Sequence, residues 1–146
     1  AGTRKTFVTL HVGLGTFAPV SKENLSSGTL HTEFFSVPAA TVRLLREQKQ
    51  AEKPIVAVGT TVVRTLESFA SGVSSGSTQI FIRPPYRFQL AHAIITNFHL
   101  PETSLMMLVQ AFLEHRGAKR SLADLYEIAI KEKFRFYSFG DATLII

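Results

Sequence analysis

The chain has 146 residues, of which 45% are hydrophobic and 18% charged, enough to bury the core of one domain and unlike a disordered chain. It contains no cysteine, which excludes disulfides, thiolate zinc sites and cysteine nucleophiles and fits a reducing cytoplasm. No apolar run reaches the length of a membrane span or has the form of a secretory signal, and 16 Lys plus Arg against 11 Asp plus Glu give a net +5 that suits a polyanionic partner such as RNA.

A strand pattern, Phe7–Val12, begins almost at once after Ala1, as expected of a chain cut from a longer one, and ends at Gly13-Leu14-Gly15. Polar residues from Ser21 to Thr32 read as a loop containing Gly28. Ser36 and Pro38 signal a helix start, and Ala39, Ala40, Val42 and Leu45 supply its apolar stripe to about Gln50. Lys53-Pro54 breaks that helix. Ile55–Val58 is a short, wholly apolar strand of the kind buried on both faces. Gly59-Thr60-Thr61 turns into a helix marked by Val62, Val63, Leu66, Phe69 and Ala70.

Gly72–Ser77 reads as a flexible linker or loop, and Gln79–Ile82 as a strand stopped by Pro84-Pro85. Ala93–Thr96 is a strand that leads to Asn97, and Leu105–Phe112 is the middle of a helix. Ser121 with Asp124 forms a capping-box pattern before Leu122, Leu125, Ile128 and Ala129. Phe134–Phe139 reads as an aromatic strand, Gly140-Asp141 as a turn and Leu144–Ile146 as an apolar tail. Strands alternating with helices predict one α/β domain, with a mostly parallel sheet and helices on both faces, and no internal boundary.

Polar groups gather where strands end. Asn97 and His99 follow a strand and precede the helix opened by Thr103 and Ser104, the place where ligands collect in alternating folds. Gly59, Thr60 and Thr61 form a second strand end that suits an anion or a ribose, or simply a turn and an N-cap. Arg64 and Glu67 have the spacing of a surface ion pair, although the planar fork of Arg64 also suits a ligand carboxylate. His11 lies near Gly13 and Gly15, which allow close backbone approach. His31 and Glu33 alternate, so a carboxylate can orient the imidazole. Asp141 ends the aromatic segment and can accept ligand hydrogen bonds. No His spacing asks for a metal, and no Gly-x-Ser-x-Gly elbow is present.

The stretches LHVGLGTFAPV (10–20), HTEFF (31–35), AVGTTVVRTLES (57–68), IFIRPPYRF (80–88), ITNFHLPETSLMMLVQAF (95–112) and FRFYSFGDATLI (134–145) together resemble the S-adenosylmethionine:tRNA ribosyltransferase-isomerases of queuosine biosynthesis. Two positions depart from the family pattern. Glu102-Thr103-Ser104 stands where a cation and Ser-Thr are usual, and Thr143 where Met is usual. The resemblance implies a C-terminal portion of the enzyme without its β-barrel domain. It implies transfer of the ribosyl group of S-adenosylmethionine to 7-aminomethyl-7-deazaguanine at the tRNA wobble position, giving epoxyqueuosine, adenine and methionine. It implies no metal and a cytoplasmic monomer or weak oligomer. By the same resemblance, His99, His11 and His31 form the acid–base pool, His99 first. Asn97 and Asp141 hold ribose hydroxyls; Gly59, Thr60, Thr61 and Arg64 bind the S-adenosylmethionine end. A non-catalytic RNA-binding module and an inactive truncated product are the alternatives.

Overall fold

A computed structural model describes residues 2–146. The described residues form two three-stranded sheets and five α-helices, four of which contribute to one core. The first sheet orders β1 (Thr9–His11), β2 (Glu33–Ser36) and β4 (Ser75–Thr78), all antiparallel. The second orders β3 (Val56–Val58), β5 (Ala93–Asn97) and β6 (Ala142–Ile145). Strands β3 and β5 run parallel, whereas β5 and β6 run antiparallel. The helices are α1 (Lys22–Ser27), α2 (Ala39–Gln50), α3 (Thr60–Phe69), α4 (Ser104–His115) and α5 (Leu122–Lys131).

The protein is therefore mixed α/β, and the expected mostly parallel, three-layer sheet is corrected. Among the described residues β3–β5 is the one parallel pair. Strand–helix alternation does not fix strand direction. One helix can return the chain to the same end of a sheet. Two successive helices, α4 and α5, leave it at the other end, and β6 enters antiparallel to β5.

The strand Ile55–Val58 is also not covered on both faces. Ala57, Ile94 and Ile145 are in register and buried on the inner face. Val58 and Leu144, in register with Ile95 on the other face, are 64% and 58% exposed. The inner face joins Val63, Leu66 and Phe69 of α3, Leu108, Val109 and Phe112 of α4, and Leu10 and Phe35 of the first sheet in one cluster.

Several local readings hold. Pro38 caps α2, and Ser121 and Asp124 bond reciprocally at the start of α5. Others are overridden. The polar stretch 21–32 contains α1, closed by a Ser21–Asn24 capping box and by Gly28 in the left-handed region. It buries no residue, so it left no apolar periodicity to read. The Gly/Ser segment holds β4, because β2 offers it a complete hydrogen-bonding edge. Gln79–Ile82 lies beyond that strand. Phe134–Phe139 is not a strand. The rings of Phe134 and Phe136 fold onto Phe98 (centroids 5.8 and 4.7 Å), and β6 forms in the apolar tail instead.

Helix α3 is buried on most sides, and this changes the reading of its charges. Glu67 accepts hydrogen bonds from the backbone N–H groups of Gln89, Leu90 and Ala91 at 2.9, 3.0 and 3.3 Å. It pins the segment before β5 rather than pairing with Arg64. Glu67→Ala strands these donors, two of them buried, and should lower the unfolding free energy by about 3–5 kcal/mol. Urea denaturation checks this as a lower midpoint at unchanged slope.

Candidate functional site

Because β3 and β5 are parallel neighbours, their carboxyl ends lie side by side. The Gly59 N–H donates to Ile95 O at 2.7 Å, fixing the turn after β3 against β5. Gly59 has φ +99°, which only glycine adopts without strain, and no atom lies within 4 Å of where its Cβ would stand. The chain turns there into α3, whose first amides have no acceptor within the helix. Beyond β5, Thr103 caps α4 by accepting from Met106 N–H.

Between these ends lies a cavity of about 560 Å³, lined by Gly59, Thr60, Thr61 and Arg64 from one side and Asn97 and His99 from the other. Thr16, Thr96, Thr103, Leu100 and Tyr137 also line it. Six of the nine residues singled out in the sequence therefore border one cavity, although four lie in 59–64 and two in 97–99.

Arg64 carries the strongest electrostatic feature. It is 3% exposed, and its Nη1 lies 2.6 Å from Glu33 Oε2 in a buried ion pair. Its Nε and Nη2 are buried without a hydrogen-bond partner. Burial pulls its pKa down, and the Glu33 charge works against that shift. Burial by itself would raise the Glu33 pKa. Hydrogen bonds from Thr16 (2.6 Å), His31 (2.9 Å) and Gly13 N–H (3.1 Å), with the Arg64 charge, more than offset burial and hold it below the ordinary carboxylate value. Glu33 was not among the sequence candidates for the site. Its signal was only its alternation with His31.

His99 is half-buried. Its Nε2 is 2.8 Å from Thr96 Oγ1, its backbone N–H donates to the Tyr126 hydroxyl at 2.8 Å, and Nδ1 makes no hydrogen bond among the described residues. Burial lowers its pKa from 6.5, so the imidazole is neutral and basic at neutral pH. Asn97 donates to Asp141 O at 2.9 Å, which fixes the amide at the strand end.

The other three candidates stand outside the cavity lining. His11 is exposed on β1, 6.2 Å from the ring of Phe34. His31 packs against the glycine turn: a Cβ on Gly15 would lie 2.8 Å from its Nδ1, and one on Gly13 would lie 3.1 Å from its Cδ2. The close approach these glycines permit is thus taken by an imidazole. The Asp141 carboxylate is held by Arg135, whose hydrogen bonds keep its pKa at about 2. Glu102 is exposed and also lies outside the lining. Among the described residues, no group of three or more His, Asp or Glu is placed to hold a metal ion, and no helix is long and apolar enough to cross a membrane.

Two outcomes follow. Glu33→Gln removes the charge that compensates Arg64 and should cost about 3–5 kcal/mol; the double change with Arg64→Met should recover much of it, as read by urea denaturation. The unfolded chain takes up a proton on His99 near pH 6.5, the folded chain only lower, so stability falls as pH drops below 6.5. Comparing midpoints at about pH 7.5 and about pH 5.5, the loss should be smaller in His99→Asn.

A family model described as "Queuosine biosynthesis protein" matches residues 1–145. The S-adenosylmethionine:tRNA ribosyltransferase-isomerase of Sulfurihydrogenibium sp. is 47% identical over 146 residues, covering 99% of this chain and 42% of that protein. The protein of the same name from Rubrobacter xylanophilus is 48% identical over 147 residues, covering 100% and 42%. A crystal structure of S-adenosylmethionine tRNA ribosyltransferase from Thermotoga maritima matches with a TM-score of 0.70 at 47% identity, over 78% of this chain and 41% of that one. The chain thus spans about two fifths of the length of these relatives. Shared sequence along nearly its whole length, with the same fold, makes the chain a member of the queuosine biosynthesis protein family.

Proposed function

We propose that this chain supplies the S-adenosylmethionine-binding wall of a tRNA ribosyltransferase-isomerase. The observation that carries the reading is the buried Arg64 edge, two unpartnered nitrogens on a residue lining a cavity that also presents hydroxyls, an amide and a neutral imidazole among apolar side chains. A buried guanidinium with open donors asks for an anionic acceptor. S-Adenosylmethionine has one, its carboxylate. Thr60 and Thr61 at the α3 N-terminus add donors at the same wall, and Asn97, steadied by Asp141, meets ribose hydroxyls.

The reaction moves the ribosyl group to a 7-aminomethyl-7-deazaguanine base in tRNA and releases adenine and methionine. The sulfonium acidifies the adjoining ribose carbon, and a neutral His99 is in the protonation state to take that proton. As imidazolium it can return a proton to a leaving nitrogen. Glu33 keeps Arg64 charged, and His31 and Thr16 keep Glu33 ionised. In this reading His31 acts at one remove. His11, adjacent in sequence to the cavity-lining Val12, stays in the proposed acid–base pool although it lies outside the lining. A tRNA substrate fits the net +5 and a cytoplasmic setting, with the chain as a monomer or weak oligomer.

Calorimetry with the chain should show binding of S-adenosylmethionine, and its decarboxylated analogue should bind about 10–100-fold more weakly, the worth of a charged hydrogen bond. Equal affinities would remove the role given to Arg64. In a ribosyl-transfer assay, His99→Ala should lower turnover by about 10²–10⁴-fold; a loss within about threefold excludes it from the proton transfer.

A further inference from the structure

Tyr137 is the residue at the cavity whose backbone conformation suits its side chain least. Its φ is +64°, in the left-handed region that disfavours any side chain and bulky ones most. Gly or Asn would fill such a position with less strain. The residue is 43% exposed, yet it lines the cavity, as does the exposed Leu100. The rings just before it behave differently. Phe136 stacks on Phe98 at 4.7 Å and meets Tyr126 edge-on at 5.3 Å, so the core is already filled from this segment.

The strained turn is clamped from both sides. The Tyr137 N–H donates to Phe98 O at 3.0 Å, fixing it to the segment leaving β5, and the Arg135–Asp141 pair (2.8 Å) closes the loop behind it. Backbone strain held by such clamps, spent on keeping an aromatic face exposed in a cavity, points to a flat ligand.

We propose that Tyr137 is a stacking platform for a purine ring. This rests on the S-adenosylmethionine reading above, since adenine is the only flat part of that ligand. A guanine-type base of a nucleic acid presents the same π-face.

The chain has no Trp, so Tyr137→Trp introduces a single indole reporter. Adenosine should quench its fluorescence saturably and methionine should not. By calorimetry, Tyr137→Gly should weaken S-adenosylmethionine binding about tenfold or more, and Tyr137→Phe should stay within about threefold. The thermal midpoint of Tyr137→Gly should not fall, because glycine relieves the strained φ. Quenching by guanosine without adenosine upholds the platform and assigns it to a nucleic-acid base. Quenching by adenosine in a chain that binds no S-adenosylmethionine upholds the platform and ends the reading of the cavity. An unquenched indole, or Tyr137→Gly binding S-adenosylmethionine as tightly as the unaltered chain, overturns the platform.

Discussion

The ion pair between Glu33 on β2 and Arg64 on α3 is the constraint around which this molecule is arranged. Two charges taken out of water cost several kcal/mol each and are tolerated only when their remaining hydrogen-bonding capacity is met. Glu33 meets that condition at Oε1, through Thr16, His31 and the Gly13 amide, drawing the turn after β1 onto the first sheet, while Oε2 faces Arg64 and makes no hydrogen bond. Arg64 meets it only in part. The same pair therefore ties the first sheet to the helix that follows β3 and leaves Arg64 Nε and Nη2 buried without a partner, on a residue that lines the cavity.

The cavity exists because of one parallel contact in a fold that is otherwise antiparallel. Strand β3 alongside β5 places Gly59 and Asn97 at one edge, and each strand is followed by a helix whose N-terminus opens there. Most of the polar groups at the wall come from these two strand–helix turns, with Thr16 added from the turn after β1. The antiparallel strand β6 contributes differently. Its preceding turn carries Asp141, whose carbonyl orients Asn97, and Tyr137, whose ring borders the same space.

The uncovered face of the second sheet has a bearing on how apolar strands are read. Val56, Val58 and Leu144 are as hydrophobic as the inner-face residues but stand exposed. Composition reports that a surface prefers burial. It does not report whether a covering layer is present in the same chain, and the chain spans about two fifths of its relatives.

Spacing along the chain was enough for the helices with apolar stripes, the capping box at Ser121, the turn at Gly59, and the two strand-end clusters at 59–64 and 97–99. These depend on residues close together along the chain, where spacing and backbone preference act directly. Tertiary structure decided the rest. It paired β4 with β2 through backbone groups that carry no side-chain signal, and it turned Phe136 onto the core because Phe98 and Tyr126 were there to receive it. It joined Arg64 to Glu33 across 31 positions rather than to Glu67 across three. A charge chooses its partner by distance in space and by loss of water, and neither is written in the spacing of the chain.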